Sequence, residues 1–208
     1  MRLAREIVSV AREMYAHGLT AGTSGNVSAR IPGGMVVTPS GIAYEEMSPD
    51  DLVTMGFDGP RPGLRRPSTE WHMHAGILEA RPDVGAVLHA HPPFATALAC
   101  HRREIPAFHY MVAVAGGNSI PCAPYATFGT RALATSAVET LEGRRACLLA
   151  NHGLVAVGAS PRDALLLALE VEALAAMYWR ALQLGDPVLL TAEEMNTVAG
   201  AFKDYGQG

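Results

Sequence analysis

Lysine is almost absent from this chain of 208 residues, since Lys203 is the only one. A single lysine leaves little choice for covalent catalysis through an amine. Long runs of lysine and arginine are also absent, and the formal net charge is -4. These features argue against a nucleic-acid groove and against an anionic membrane surface as a partner. A small anionic substrate is still compatible with this charge, because a local pocket can be positive in an acidic protein.

Long apolar runs and paired cysteines are missing as well. The longest apolar stretch, around residues 164–169, is too short to span a bilayer, and the start of the chain lacks the apolar segment of a signal peptide. Cys100, Cys122 and Cys147 form no C-x-x-C motif, so we expect reduced, packed thiols and a cytoplasmic protein. A hydrophobic content of 49% fits one globular domain over residues 1–208.

Helix and strand patterns alternate along the chain. Apolar residues that alternate on both sides of Pro32-Gly33-Gly34 predict a β-hairpin, and residues 146–150 and 154–157 predict a second pair of strands. The segment Ser160-Pro161-Arg162-Asp163 predicts the start of a long helix, whereas residues 112–115 are predicted to be extended. Strands thus occur in hairpins as well as between helices. This order predicts an α/β fold with a mixed or largely antiparallel sheet flanked by helices.

The motif His89-Ala90-His91 ends an apolar run that predicts a strand. Side chains two residues apart on a strand point to the same face, so both imidazoles can reach one ion. Glu70 upstream and His152 downstream are further candidate ligands. Three histidines and a carboxylate, without a thiolate, match a catalytic zinc better than a structural one. The alternative is a pair of core histidines that are hydrogen-bonded to the backbone.

A second H-x-H motif, His72-Met73-His74, lies among apolar residues at helical spacing. On a helix, residues two apart diverge by roughly 200°. We therefore expect that His72 and His74 do not share a metal and that each has a surface or packing role. Ser68 or Thr69 is predicted to cap this helix.

Three segments are rich in small hydrogen-bond donors: Gly22-Thr23-Ser24-Gly25-Asn26, Thr38-Pro39-Ser40-Gly41 and Pro67-Ser68-Thr69-Glu70. Glycine lets the backbone approach an anion, hydroxyl and amide groups donate hydrogen bonds, and a helix N-terminus adds a favourable field. Together the segments predict an uncharged phosphate site beside Glu70. Each segment alone is more often a turn or a cap, and none is a Walker or Rossmann fingerprint.

The chain carries, in order, the motifs G-T-x-G-N-V-S, T-P-S-G, P-S-T-E-W, H-A-H, F-H-Y-M-V-A-V-A-G-G-N-S-I-P-C-A-P-Y-A-T-F-G-T and N-H-G-L. This ordered set resembles the class II aldolase and adducin head-domain family over nearly the whole chain. The resemblance implies a three-layer α/β/α fold with a central, largely antiparallel sheet, and a homotetramer with active sites at subunit interfaces. It also implies reversible, zinc-dependent cleavage of L-fuculose 1-phosphate, or a close deoxyketose 1-phosphate, to dihydroxyacetone phosphate and a small aldehyde such as L-lactaldehyde.

The resemblance also implies roles for single residues. The positions that match ligands of one Zn2+ per chain are Glu70, His89, His91 and His152, and Glu70 also matches the general base. Tyr110 matches a tyrosine that donates a proton in a neighbouring subunit's site. The positions that match phosphate contacts are Asn26, Ser40, Gly41, Ser68 and Thr69, and those that match contacts near the aldehyde are Phe128 and Tyr205. Thr69 stands where the family pattern has serine, but it keeps the hydroxyl.

Three other functions use the same scaffold. An L-ribulose-5-phosphate 4-epimerase would use the same metal, but similar epimerases carry Asp at the position of Glu70. A methylthioribulose-1-phosphate dehydratase is disfavoured by the close match around Tyr110. A non-enzymatic, adducin-like binding module should have lost the metal ligands, whereas this chain keeps all four. We therefore expect an aldolase that acts on a small phosphorylated sugar, and the identity of the sugar stays open.

Overall fold

The structure is a computed structural model that describes residues 2–60 and 65–204, with side chains described up to Phe202. Its strands are β1 (Asn26–Ile31), β2 (Gly34–Val37), β3 (Val53–Met55), β4 (Ala86–Ala90), β5 (Cys122–Ala123), β6 (Ala146–Leu149) and β7 (Gly153–Gly158). Its α-helices are α1 (Arg2–Ala16), α2 (Trp71–Ala80), α3 (Pro93–Cys100), α4 (Arg131–Thr140), α5 (Pro161–Ala181) and α6 (Ala192–Asp204). Short 3-10 helices cover Pro49–Asp51 and Tyr110–Ala115.

The seven strands form one sheet in the order β3-β2-β1-β4-β7-β6-β5. Every neighbouring pair is antiparallel except β5 and β6, which run parallel. Both predicted hairpins, β1–β2 and β6–β7, are present. Strand β4 lies in the middle of the sheet, where His89 stands opposite Asn26 of β1 on one side and Val155 of β7 on the other. The largely antiparallel sheet is therefore confirmed.

Helices cover both faces of the sheet. One apolar cluster joins α1, α3 and α5 to residues such as Leu88 of β4, and a second cluster joins α2 and α4 to residues such as Val87. Because alternate strand residues point to opposite faces, His89 lies on the same side as Val87, facing α2. The α/β/α arrangement implied by the resemblance is confirmed, and it directs the first histidine of H-A-H toward the helix that follows Glu70.

The prediction of extended structure for residues 112–115 is wrong, because they belong to the 3-10 helix Tyr110–Ala115. The side chain of His109 accepts a hydrogen bond from the Met111 N–H at the start of this helix. Gly116, at a φ of 91°, ends it in the left-handed conformation that favours glycine. These two caps outweigh the β-propensity of the apolar, β-branched run between them.

All three cysteines are free thiols. Cys147 is buried in β6, where burial raises the pKa of its thiol and keeps it protonated, and Cys122 is half-buried. Cys100 differs from the expectation of a packed thiol, because it is exposed at the last residue of α3. Across the described ranges, no helix combines the length and the apolar character needed to cross a bilayer.

Candidate metal centre

Four side chains meet at one end of the central strand β4. One ligand atom from each of Glu70, His89, His91 and His152 lies within 4.8 Å of the others. His89 Nε2 is 2.9 Å from His91 Nε2 and 2.9 Å from Glu70 Oε2, and His152 Nε2 is 3.3 Å from Glu70 Oε1. The structure thus brings together all four residues that the sequence singled out as ligands.

Local backbone geometry places each of these side chains. His89 projects from β4, and His91 follows directly after the strand ends at Ala90. The turn between β6 and β7 presents His152, and it is made by Asn151 in the left-handed region at a φ of 54°, which asparagine tolerates. At Gly153 an added Cβ would lie 2.4 Å from Ala90 O and 2.7 Å from His91 Cδ2. Only glycine therefore lets β7 approach the His91 ring this closely.

Glu70 is the N-cap residue of α2, but its side chain makes no capping hydrogen bond. The prediction that Ser68 or Thr69 caps this helix is wrong. The helix begins at Trp71, one residue later than a cap at Thr69 would require. Ser68 Oγ instead accepts a hydrogen bond of 3.3 Å from the Glu70 N–H. The Glu70 carboxylate is thereby free to point toward the histidines, and it is 5% exposed.

The surroundings of Glu70, His91 and His152 favour the protonation states that bind cations. Burial, together with His89 and His152, lowers the pKa of His91 to about 4, and burial together with His89 lowers the pKa of His152 to about 4. Burial alone would raise the pKa of Glu70, but His89 and His152 bring it down to about 2. At neutral pH the group therefore offers the uncharged imidazoles of His91 and His152 and the ionised carboxylate of Glu70.

Two features of the group indicate that these residues fit a metal ion. His89 Nδ1 donates to Leu154 O at 2.9 Å, which leaves Nε2 as the ring nitrogen that faces both His91 Nε2 and Glu70 Oε2, at 2.9 Å each. The buried Glu70 Oε1 makes no hydrogen bond of good geometry. A divalent cation would satisfy both, and a backbone carbonyl that orients a ligating histidine is typical of metal sites. Imidazole nitrogens with one carboxylate suit zinc.

A cavity of about 340 Å³ opens beside the metal group. The predicted phosphate residues Asn26, Ser40, Ser68 and Thr69 all line it, and so does Phe128, which is 65% exposed. The cavity therefore joins the metal group to a set of neutral hydrogen-bond donors.

Backbone hydrogen bonds hold the three donor-rich segments side by side. Thr38 N–H donates to Val27 O at 3.0 Å, next to Asn26, and Ser68 N–H donates to Thr38 O at 3.0 Å. Ser40 N–H donates to Arg66 O, also at 3.0 Å. Three segments that are far apart in the sequence thus form one continuous surface.

Three predicted site residues within the described ranges, His89, Gly41 and Tyr110, do not line this cavity. Gly41 follows Ser40 at a φ of 76°, which favours glycine in the turn, but it is not among the described lining residues. Tyr110 is 48% exposed and lines a different cavity together with Val198 and Phe202. Within one chain it does not reach the metal group. Tyr205 lies outside the described residues.

Sequence reasoning missed Tyr125 and Asn151 as lining residues. Tyr125 is 56% exposed in the loop after β5, three residues before Phe128. Two aromatic residues in a loop next to a proline were a usable signal, because exposed aromatic rings often mark binding surfaces. Asn151 precedes His152 in the tight turn, so its place at the cavity follows from that of the histidine.

Residues 5–179 of this chain match the class II aldolase and adducin N-terminal domain. The protein is therefore a member of the class II aldolase and adducin family. A 5-methylthioribulose-1-phosphate/5-deoxyribulose-1-phosphate aldolase of Rhodospirillum rubrum is 50% identical over 200 residues, which are 96% of this chain and 90% of that protein.

Two further relatives carry another substrate in their names. An L-fuculose phosphate aldolase of Escherichia coli (strain K12) is 47% identical over 206 residues, covering 99% of this chain and 96% of that protein. A solved structure of an L-fuculose 1-phosphate aldolase matches with a TM-score of 0.93 at 42% identity, covering 97% of this chain and 96% of that chain. The protein is thus a lyase of the class II aldolase type.

Proposed function

We propose that this protein is a zinc-dependent aldolase that reversibly cleaves a deoxyketose 1-phosphate, with L-fuculose 1-phosphate as the first substrate to test. The products are dihydroxyacetone phosphate and a small aldehyde such as L-lactaldehyde. The observation that carries the proposal is the shared cavity, in which the Glu70 and histidine group lies beside uncharged hydroxyl and amide donors. The names of the relatives add 5-deoxyribulose 1-phosphate and 5-methylthioribulose 1-phosphate as further substrates to test.

In this proposal Asn26, Ser40, Ser68 and Thr69 bind the substrate phosphate, and Gly41 shapes the turn that presents Ser40. The amide and the hydroxyls donate hydrogen bonds without adding charge, and the nearby N-terminus of α2 supplies a field that favours an anion. No lysine or arginine is among the described residues that line the cavity. Phosphate binding therefore rests on these neutral donors, and an unphosphorylated ketose should be a far poorer substrate.

Glu70, His89, His91 and His152 would hold the zinc ion, which when bound supplies Lewis-acid stabilisation of the negative charge left by bond cleavage. The carboxylate of Glu70 moves the proton at the carbon of the dihydroxyacetone fragment where the bond breaks. Burial of Glu70 excludes bulk water from this proton transfer. The carboxylate is ionised at neutral pH, as the base in the synthetic direction must be.

Tyr110 is assigned to proton exchange with the aldehyde oxygen in the site of a neighbouring subunit, within a homotetramer. Its ring lies in the cavity with Val198 and Phe202, apart from the Glu70 cavity of its own chain, so a catalytic role requires a second subunit. A phenol suits this role because it can donate to a developing alkoxide while staying neutral near pH 7. Phe128 and Tyr205 are assigned to apolar contact with the aldehyde end.

Mixing two inactive variants, Tyr110→Phe and His91→Ala, is expected to restore activity. In a mixed tetramer, an intact Tyr110 from one subunit meets an intact metal group of its neighbour. With random exchange around a closed ring, about a quarter of the sites should be complete. Native mass spectrometry verifies the exchange, and a coupled assay measures the activity. Absence of recovery after verified exchange, or an active monomer in light scattering, contradicts the shared site.

Cleavage of the substrate panel is tested by coupling released dihydroxyacetone phosphate to glycerol-3-phosphate dehydrogenase. We expect turnover with L-fuculose 1-phosphate or with one of the two ribulose 1-phosphate derivatives, and none with the His91→Ala control. Aldehyde selectivity should be loose, because a methyl difference in an apolar pocket discriminates by only about 1–3 kcal/mol. If no ketose 1-phosphate is cleaved while L-ribulose 5-phosphate is converted to D-xylulose 5-phosphate, the epimerase alternative replaces the aldolase.

The proposal also locates the enzyme in the cytoplasm. Its three cysteines are all free, and thiols persist in reducing compartments. A small sugar phosphate is also a substrate of the kind that an intracellular enzyme meets.

A further inference from the structure

His74 is a fully buried histidine on α2 that has no part in the proposed chemistry. Its ring faces strand β1, where Nδ1 lies 2.7 Å from Ser28 Oγ and Nε2 lies 2.5 Å from Asn26 Oδ1. Asn26 in turn donates through Nδ2 to Glu70 Oε2 at 3.3 Å. A continuous chain of hydrogen bonds therefore runs from Ser28 through His74 and Asn26 to Glu70.

The charge on Glu70 sets the direction of every bond in this chain. A carboxylate only accepts hydrogen bonds, so the NH2 group of Asn26 must face Glu70 and its Oδ1 must face His74. His74 Nε2 must then carry the proton, which leaves Nδ1 as the acceptor for the hydroxyl of Ser28. With the Asn26 amide reversed, a carbonyl oxygen would face the carboxylate without a proton between them.

The same amide also borders the cavity. Asn26 lines it together with Ser68 and Thr69, and it is 4% exposed. Its NH2 group donates to Glu70 Oε2 and has a second, longer contact of 3.5 Å to Ser24 O. A bound anion can compete with Ser24 O for that second N–H only in the amide orientation that His74 enforces. One buried histidine thereby controls a donor at the phosphate site and a contact to the carboxylate of the metal group.

We propose that His74 is a positioning residue, which holds the Asn26 amide with its NH2 group toward Glu70 and the phosphate site. The role in substrate binding rests on the proposed function, whereas the role in orienting Glu70 does not. His72, two residues earlier, stacks on Trp71 instead and takes no part in this chain of bonds. The helical H-x-H motif therefore contributes to the site through one of its two histidines.

Two substitutions at His74 separate the two ends of its ring. His74→Gln can place an amide N–H near the position of Nε2 and so keeps the donor to Asn26. His74→Asn is shorter, can accept from Ser28 near the position of Nδ1 and loses the donor to Asn26. We expect His74→Asn to weaken Zn2+ binding by about 10–100-fold, as the loss of outer-shell partners commonly does, and His74→Gln to stay much closer to wild type.

These affinities are measured by competition with a chromophoric chelator, after circular dichroism has verified the fold. Calorimetry with dihydroxyacetone phosphate and no aldehyde tests the role of His74 in substrate binding. His74→Asn should again bind its ligand more weakly than His74→Gln does. Ser28→Ala serves as the control, because it removes a partner of His74 and lowers stability while leaving the donor to Asn26 in place. Equal affinities for His74→Asn and wild type in both titrations would falsify the positioning role.

The wild-type enzyme supplies a test that needs no variant. Nitrogen-15 NMR of the ring should find His74 neutral and protonated at Nε2, and an Nδ1-protonated ring overturns the proposal. If no ketose 1-phosphate is cleaved, the proposed function fails, but the tautomer and the Zn2+ titrations still decide the role of His74.

Discussion

His91→Ala is expected to lose bound zinc and catalytic activity together. His91 Nε2 lies 2.9 Å from His89 Nε2, so its removal takes away one of the converging nitrogens at the centre of the group. Lewis-acid stabilisation of the cleavage product is worth several kcal/mol, which corresponds to a fall in kcat/KM of about 10³-fold or more. Elemental analysis of the purified variant and the coupled dihydroxyacetone phosphate assay measure the two losses.

His101→Ala is the matched control, because His101 is exposed at the end of α3 and lies outside the group. It should keep about one zinc per chain and wild-type activity. Treatment of the wild-type enzyme with a strong chelator should reproduce the loss, and added Zn2+ should restore the rate. Full activity in protein shown by elemental analysis to be free of metal is incompatible with the proposed mechanism.

Glu70→Gln is expected to separate metal binding from turnover. The three histidines stay in place, so the variant should retain much of its zinc, although it loses the charge of the carboxylate. Glutamine cannot accept the proton that Glu70 is proposed to carry, and general acid–base catalysis contributes about 10²–10⁴-fold. We therefore expect kcat to fall by this factor. KM should change less, because the side-chain oxygen of glutamine can still accept the hydrogen bond from Asn26 and the hydroxyl donors are unchanged.

Steady-state kinetics and zinc analysis of the same sample check this result. Glu70→Asp is the companion variant, since it keeps a carboxylate but withdraws it by one methylene, and it should lose less activity than Glu70→Gln. A Glu70→Gln enzyme with near-normal kcat and bound zinc removes Glu70 from proton transfer and leaves it as a ligand only.

Much of the local structure could be predicted from short sequence patterns. Ser160 and Asp163 form the predicted capping box at the start of α5, and the strands on either side of Gly33 pair as a hairpin. The 3-10 helix Tyr110–Ala115 was missed, because a hydrogen bond to His109 and a left-handed Gly116 outweigh the propensity of an apolar run. Such caps depend on one or two atoms, and the spacing of apolar residues along the chain does not contain that information.

By itself, the sequence determined which residues share a face within one element. Strand periodicity predicted that His89 and His91 converge, and helix periodicity predicted that His72 and His74 diverge, because backbone stereochemistry sets both periods. Only the tertiary structure decided that Glu70 and His152 meet these histidines. The four side chains meet because β4 lies between β1 and β7 in the sheet and because Glu70, at the start of α2, contacts Asn26 of β1. Both features arise from contacts between segments that are distant in the sequence, and local patterns do not encode such contacts.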